Sequence, residues 1–136
     1  MVDDESGSED FRIQVEVVDD SGRLLLDDPP YPEGLTRAIS LASDDAIIGH
    51  DVRRLEARVA VDDDEVIHAL HHAGYRREGR LRQARVRGNG WVDEYIYSRL
   101  ATDEIYTRTG HTGMLDSVLP TKRVISHVLL RDDAGR

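Results

Sequence analysis

Three histidines, His68, His71 and His72, share one short stretch, with Glu65 about one helical turn earlier. His68 and His72 have the i, i+4 spacing with which two imidazoles on a helix can grip a divalent metal. Ile67, Leu70 and Ala73 form an apolar stripe on the opposite side, so the histidines are expected on a solvated face and no metal site is assigned. Glu56, in Leu55-Glu-Ala-Arg-Val-Ala-Val61, is a carboxylate that could take a proton from a water or an amine as a general base. On an alternating segment it can equally point to solvent. Residues 74–90 hold Arg76, Arg77, Arg80, Arg82, Arg85 and Arg87 against Glu78 alone, a cluster suited to phosphate oxygens. A strand scatters such side chains over both its faces. With 5% aromatic residues there is little to stack bases on, so nucleic acid is not expected as a partner. Tyr75, Trp91, Tyr95 and Tyr97 read as core and cross-strand packing.

Composition bounds the chemistry further. The chain has 136 residues, no cysteine and a formal net charge of −9. One domain is expected at that length. Disulfides, thiolate metal sites and thiol nucleophiles are excluded. No apolar run is long enough to span a bilayer, and the acidic start, MVDDESGSED, lacks the basic and apolar regions of a secretion signal. A cytoplasmic location is expected. Charge is uneven: residues 1–28 hold ten acids and two arginines, whereas residues 74–90 are strongly basic.

The elements that must position these groups follow from pattern. Residues 1–10 read as a disordered acidic tail. Phe11–Val18 alternates with period two, Asp19–Gly22 signals a turn and Arg23–Leu26 returns as a second strand. Prolines at 29, 30 and 32 break regular structure. A helix is expected over Glu33–Ile48, with Leu35, Ala38, Ile39, Ala42 and Ala46 on one face and Gly49 as its stop. Arg54–Val61 reads as a strand. The acids Asp62–Glu65 then open a helix whose apolar face is Val66, Ile67, Leu70 and Ala73, ended by Gly74. Tyr75–Arg87, bent near Gly79, and Trp91–Leu100 read as a hairpin around Gly88-Asn89-Gly90. Residues 104–122 read as a linker, and Arg123–Leu130 as a fresh strand within 123–136.

The stretch Arg53–Ala101 resembles the C-terminal half of the GNAT acyltransferases, especially the branch that acetylates protein N-termini. The residues that carry the likeness are the strand Leu55–Val61, a helix ending in the Gly74-Tyr75 pair, the Arg77-Glu-Gly79 turn, and a hairpin closing in Tyr97-Ser-Arg-Leu100. The resemblance implies acetyl-CoA as cofactor, a splayed pair of central strands and acetyl transfer to an amine. It implies diphosphate contacts at Gly34, Thr36 and Arg37, in Tyr31-Pro-Glu-Gly-Leu-Thr-Arg-Ala38, and pantetheine contacts along the backbone of Val59 and Ala60. It offers the Arg76–Arg87 cluster the 3′-phosphate of coenzyme A, and Glu56 the role of base. The sequence departs from the family at Glu33, a negative charge beside the phosphates, at Leu70, where the family's general-acid tyrosine stands, and at Asp63, which replaces an asparagine. The helices that precede this half in the family are absent.

Met114–Arg136 resembles the lead-in and first strand of a Nudix hydrolase, without the acidic box that binds magnesium. The expectation is therefore an α/β fold, a mixed and largely antiparallel sheet flanked by two helices, GNAT-like in part, over residues 11–103. The leading function is an acyl-CoA-binding domain that transfers acetyl to an amine. The alternative is a catalytically inactive interaction or regulatory module beside a Nudix partner. An under-covered sheet face would favour a homodimer.

Overall fold

The computed structural model describes residues 10–103 and 122–129. Its elements are β1 (Phe11–Val18), β2 (Ser21–Leu26), α1 (Leu35–Asp44), β3 (Arg54–Ala60), α2 (Asp64–His72), β4 (Arg76–Arg87), β5 (Gly90–Leu100) and β6 (Lys122–Leu129). They build one six-stranded sheet in the order β4-β5-β3-β2-β1-β6. Every neighbouring pair is antiparallel except β2 and β3, which run parallel because α1 crosses over between them.

Local chemistry explains the elements. Phe11, Ile13, Val15 and Val17 alternate onto one sheet face and are fully buried there. The two-residue turn between β1 and β2 places Asp19 at φ 58°, a conformation that aspartate tolerates. Gly22 lets three side chains close in: a Cβ there would sit 3.1 Å from both Leu55 and Val15 and 3.3 Å from Val52. Gly34, at φ 84°, precedes α1 with no side-chain cap. Leu35, Ile39, Ala42 and Ser43 form the buried stripe of α1. The helix expected to run on to Ile48 leaves α-geometry at Asp45 and continues as a π-helical turn to Gly49. Asp63 caps α2, its carboxylate accepting from the Val66 N–H at 3.3 Å.

Both helices pack on the same sheet face. Val66, Ala69 and Leu70 of α2 and the buried stripe of α1 join Phe11, Val15, Leu24, Leu55, Val59 and Tyr97 in one core. Each large side chain there contributes about 1.5–3 kcal/mol. Ser43 is buried without loss because it donates to the Ile39 carbonyl and meets the Tyr75 hydroxyl at 2.7 Å. The other face of the sheet carries no element among the described residues.

The strand expected over 123–130 is present as β6. Although it follows a stretch read as a linker, it lies within the same sheet, paired with β1 from Phe11↔Leu129 to Val18↔Lys122. The acidic tail and linker fall outside the described residues, apart from Asp10 and Lys122 at their edges. The aromatic expectation needs one correction. Tyr75 and Tyr97 are buried, but Trp91 is 60% exposed, paired with the equally exposed Val86 near the hairpin turn. No described residue covers the tip of the β4–β5 pair, where both side chains are 60% exposed.

Candidate functional site: a cleft where two parallel strands part

The parallel pairing of β2 with β3 runs from Ser21↔Arg54 to Leu24↔Ala57 and stops. Beyond that rung each strand stays fixed on its outer side. Leu25 and Leu26 pair with Gln14 and Ile13 of β1, and Arg58, Val59 and Ala60 with Ile96, Tyr95 and Glu94 of β5. The inner edges diverge and leave their backbone groups facing a gap instead of a ladder. A cleft of 270 Å³ opens there. Leu24, Leu26, Ala57, Val59, Val66 and Leu70 give it apolar walls, while Arg23, Arg58, Arg85, Asp63, Glu94 and Tyr31 bring polar groups to it.

The loop after β2 forms one side of the cleft through Asp27, Asp28, Pro29 and Tyr31. Tyr31 stands edge-on to Phe11, ring centroids 5.6 Å apart, and its hydroxyl donates to Asp63 at 2.6 Å. Burial, then the Asp63 carboxylate, push the Tyr31 phenol well above its ordinary value. It stays protonated and ties the loop to the start of α2. Glu94 is buried at the opposite wall, where the Arg85 Nε donates to it at 2.7 Å.

The expected site residues divide. Val59 lines the cleft, as does Leu70, fully buried at the place where the resemblance puts a proton donor. Ala60 is the next rung of β3, buried and outside the lining. Gly34, Thr36 and Arg37 form the start of α1, apart from the lining; Gly34 and Arg37 are exposed. Glu33 is exposed beside them. Glu56 is held by Arg54 at 2.8 Å and does not line the cleft. Arg54 also binds Glu78 at 2.8 Å, and Ser98 donates to Glu78 at 2.6 Å. Arg54 and then Ser98 draw the Glu78 carboxyl down to about 2.

The arginine cluster is partly spent on internal pairs: Arg80 on Asp93 at 2.7 Å, Arg85 on Glu94, and Arg87 on Asp62 at 3.0 Å. The Arg77 guanidinium lies 3.6 Å from the Tyr95 ring centre and donates to the Tyr97 hydroxyl at 2.9 Å. His68, His71 and His72 are exposed, and no metal-binding group of three is formed among the described residues. None of the described helices is long and apolar enough to cross a membrane.

Two participants left little sequence signal. Glu94 sits in a strand of mixed character, and it reaches the cleft lining through the pairing of β5 with β3, which no local pattern encodes. Tyr31 lies among prolines, with its partner 32 positions away. The Nudix-like stretch is described only over Lys122–Leu129, where it serves as a sheet strand; the rest lies outside the described residues.

No family model matches the chain, and no curated protein does. Solved structures do. A chimera of the spermidine N-acetyltransferase SpeG from Vibrio cholerae matches with a TM-score of 0.56 at 18% identity, over 65% of this chain and 54% of that one. A GNAT-family acetyltransferase from Bacillus anthracis matches at 0.54 and 19%, over 66% and 59%. The ribosomal-protein-S5-alanine acetyltransferase from Vibrio fischeri matches at 0.54 and 18%, over 65% and 55%. The chain thus spans little more than half the length of these proteins. With its two parallel strands parting beside a helix start, it has the fold of the GNAT acetyltransferases over about two thirds of its length.

Proposed function

We propose that the chain binds acetyl-CoA along the cleft between β2 and β3 and transfers the acetyl group to an amine. The observation that carries this reading is the parting of the strands after Leu24↔Ala57, which opens an apolar slot edged by unpaired backbone. Such a slot suits a pantetheine arm, with amide groups to pair and methylenes to bury. The start of α1 has no side-chain cap, so its first N–H groups are available to a diphosphate. Arg37 adds a charge there, and exposed Glu33 opposes it.

Acetyl-CoA, when bound, supplies an activated acyl carbon and a thiolate leaving group. This chain's residues orient the arm, keep water from the buried side through Val66 and Leu70, and accept the amine's proton. Glu56 and Glu94 are both paired with an arginine, but Glu94 alone of the two lines the cleft. We assign the base to it. Leu70 has no proton to return, so the departing thiolate is protonated from water and turnover is slow. The homodimer expected from an uncovered sheet face belongs to the same proposal, supported by Val18, Val124 and Val128, 44–50% exposed on that face. A monomer in light scattering at high concentration would remove it.

Calorimetric titration with coenzyme A tests the reading. Binding weaker than micromolar is expected for the natural sequence, and Glu33→Gly should tighten it by about 0.3–1 kcal/mol, the worth of one charge at a helix start. Glu94→Gln should leave binding intact and remove acetyl transfer. No binding by the natural chain or by Glu33→Gly would retire the cofactor.

A further inference from the structure

The uncovered sheet face reaches the cleft through two arginines. Arg23 is the rung partner of Glu56, and Arg58 lies two residues beyond Glu56, so the pleat points both guanidiniums to this one face. Both are exposed and both line the cleft at the point where the strands part. Their neighbours on the face are spoken for: Arg54 by Glu56 and Glu78, Arg85 by Glu94. The Arg23 and Arg58 side chains make no hydrogen bond or ion pair with any described residue.

Most of the carboxylates around them are engaged elsewhere. Glu56, directly opposite Arg23, is turned to Arg54. Within the lining, Asp27 accepts the Arg12 backbone N–H at 2.8 Å, Asp63 accepts from Tyr31 and Val66, and Glu94 from Arg85. Asp28, on the loop that leaves β2, and Glu16, the rung partner of Arg23 on β1, make no side-chain bond with any described residue. The helices α1 and α2 cover the opposite face, so an amine approaching the cleft from the uncovered side passes between Arg23 and Arg58.

The geometry points to an acceptor that carries a carboxylate close to its amine, an amino acid or the end of an acidic peptide. One guanidinium on each strand, Arg58 two residues beyond the rung of Arg23, offers donors to a carboxylate from both sides of the gap. The same pair disfavours a polyamine, whose several positive charges would meet two further cations at the mouth of the cleft. The inference rests on the acyl-transfer reading and names the acceptor class of that site.

The test uses the full chain and three measurements. Acetyl transfer is followed by thiol release with glutamate, with a short peptide beginning in aspartate, and with spermidine. Equilibrium binding of glutamate to the free protein is followed by calorimetry, and coenzyme A affinity is measured separately. Arg23→Ala and Arg58→Ala change exposed side chains, and circular dichroism checks that both variants stay folded. The expected result is a preference for the acidic acceptors over spermidine. Each substitution should weaken glutamate binding and raise its KM by about tenfold, a larger change than the one it makes in coenzyme A affinity. The peptide and the free amino acid separate a terminal from a side-chain carboxylate as the group held.

A preference for spermidine with coenzyme A bound would overturn the acceptor class and leave acyl transfer standing. Acidic-acceptor turnover unmoved by either substitution would overturn it as well. Failure to bind coenzyme A while glutamate still binds through Arg23 and Arg58 would retire the transfer reading and keep the carboxylate site.

Discussion

Single residues in this chain act mostly through the partner they are given. Glu78 was an isolated acid in a basic run by sequence, yet it closes a network with Arg54 and Ser98 that links β4, β3 and β5. Its folded value of about 2 lies below the roughly 4.3 of a free glutamate. A depressed carboxyl contributes stability that is complete above the unfolded value and is lost as pH falls from about 4.3 toward 2. Glu78→Gln should therefore flatten the decline of Tm over that window, with a loss at pH 7 below about 1 kcal/mol because the pair is partly exposed. Thermal melts at pH 7, 4 and 2.5 check both. Asp93 carries a similar burden. It accepts from the Gln83 N–H at 2.8 Å and from Arg80, which together pull its carboxyl down and fix a bulge where Gln83 takes φ 49°. Nothing in Arg82-Gln-Ala-Arg85 announces that bulge.

Elements were legible wherever their cause was local. The alternation of Phe11–Val18, the acids that open α2 and the Gly-Asn turn of the hairpin each name their own structure within a few residues. The end of α1 was less so, because the π-helical turn changes the hydrogen-bond register without a proline or glycine to mark it before Gly49. The cleft was legible only through resemblance. That two strands part depends on what holds their outer edges, and neither Leu25-Leu26 nor Arg58-Val59 encodes it locally. The start of α2 joins the two levels, since Asp63 both caps the helix and holds Tyr31. Asp63→Ala is expected to cost about 1–2 kcal/mol through loss of the cap. The Tyr31 phenol, relieved of a neighbouring negative charge, should titrate closer to the ordinary value near 10. Urea unfolding and alkaline tyrosine absorbance measure the two effects separately.

Among the described residues the sheet is unevenly clothed, with two helices on one face and side chains alone on the other. The outer rim of that sheet is β6, anchored by Ile125 against the core, by the Arg123 guanidinium on the His50 carbonyl at 2.9 Å and by His127 beside Asp45 at 3.4 Å. A chain ended after residue 103 should bare the long apolar edge of β1 and self-associate, which light scattering and loss of a sharp thermal transition would reveal. A chain so ended that stays monomeric and melts sharply would make β6 dispensable. The pairing of β1 with β6 also sets an order in time. Gln14 and Ser126, joined across it, lie 112 positions apart, so β1 waits for β6 to be made. Contacts so distant in the chain close slowly, and through that interval β1 is paired on one side only, by β2. Refolding should therefore end in a late phase, the docking of β6, and crowding or heat applied before that phase would divert chains toward aggregates joined through the bare edge of β1.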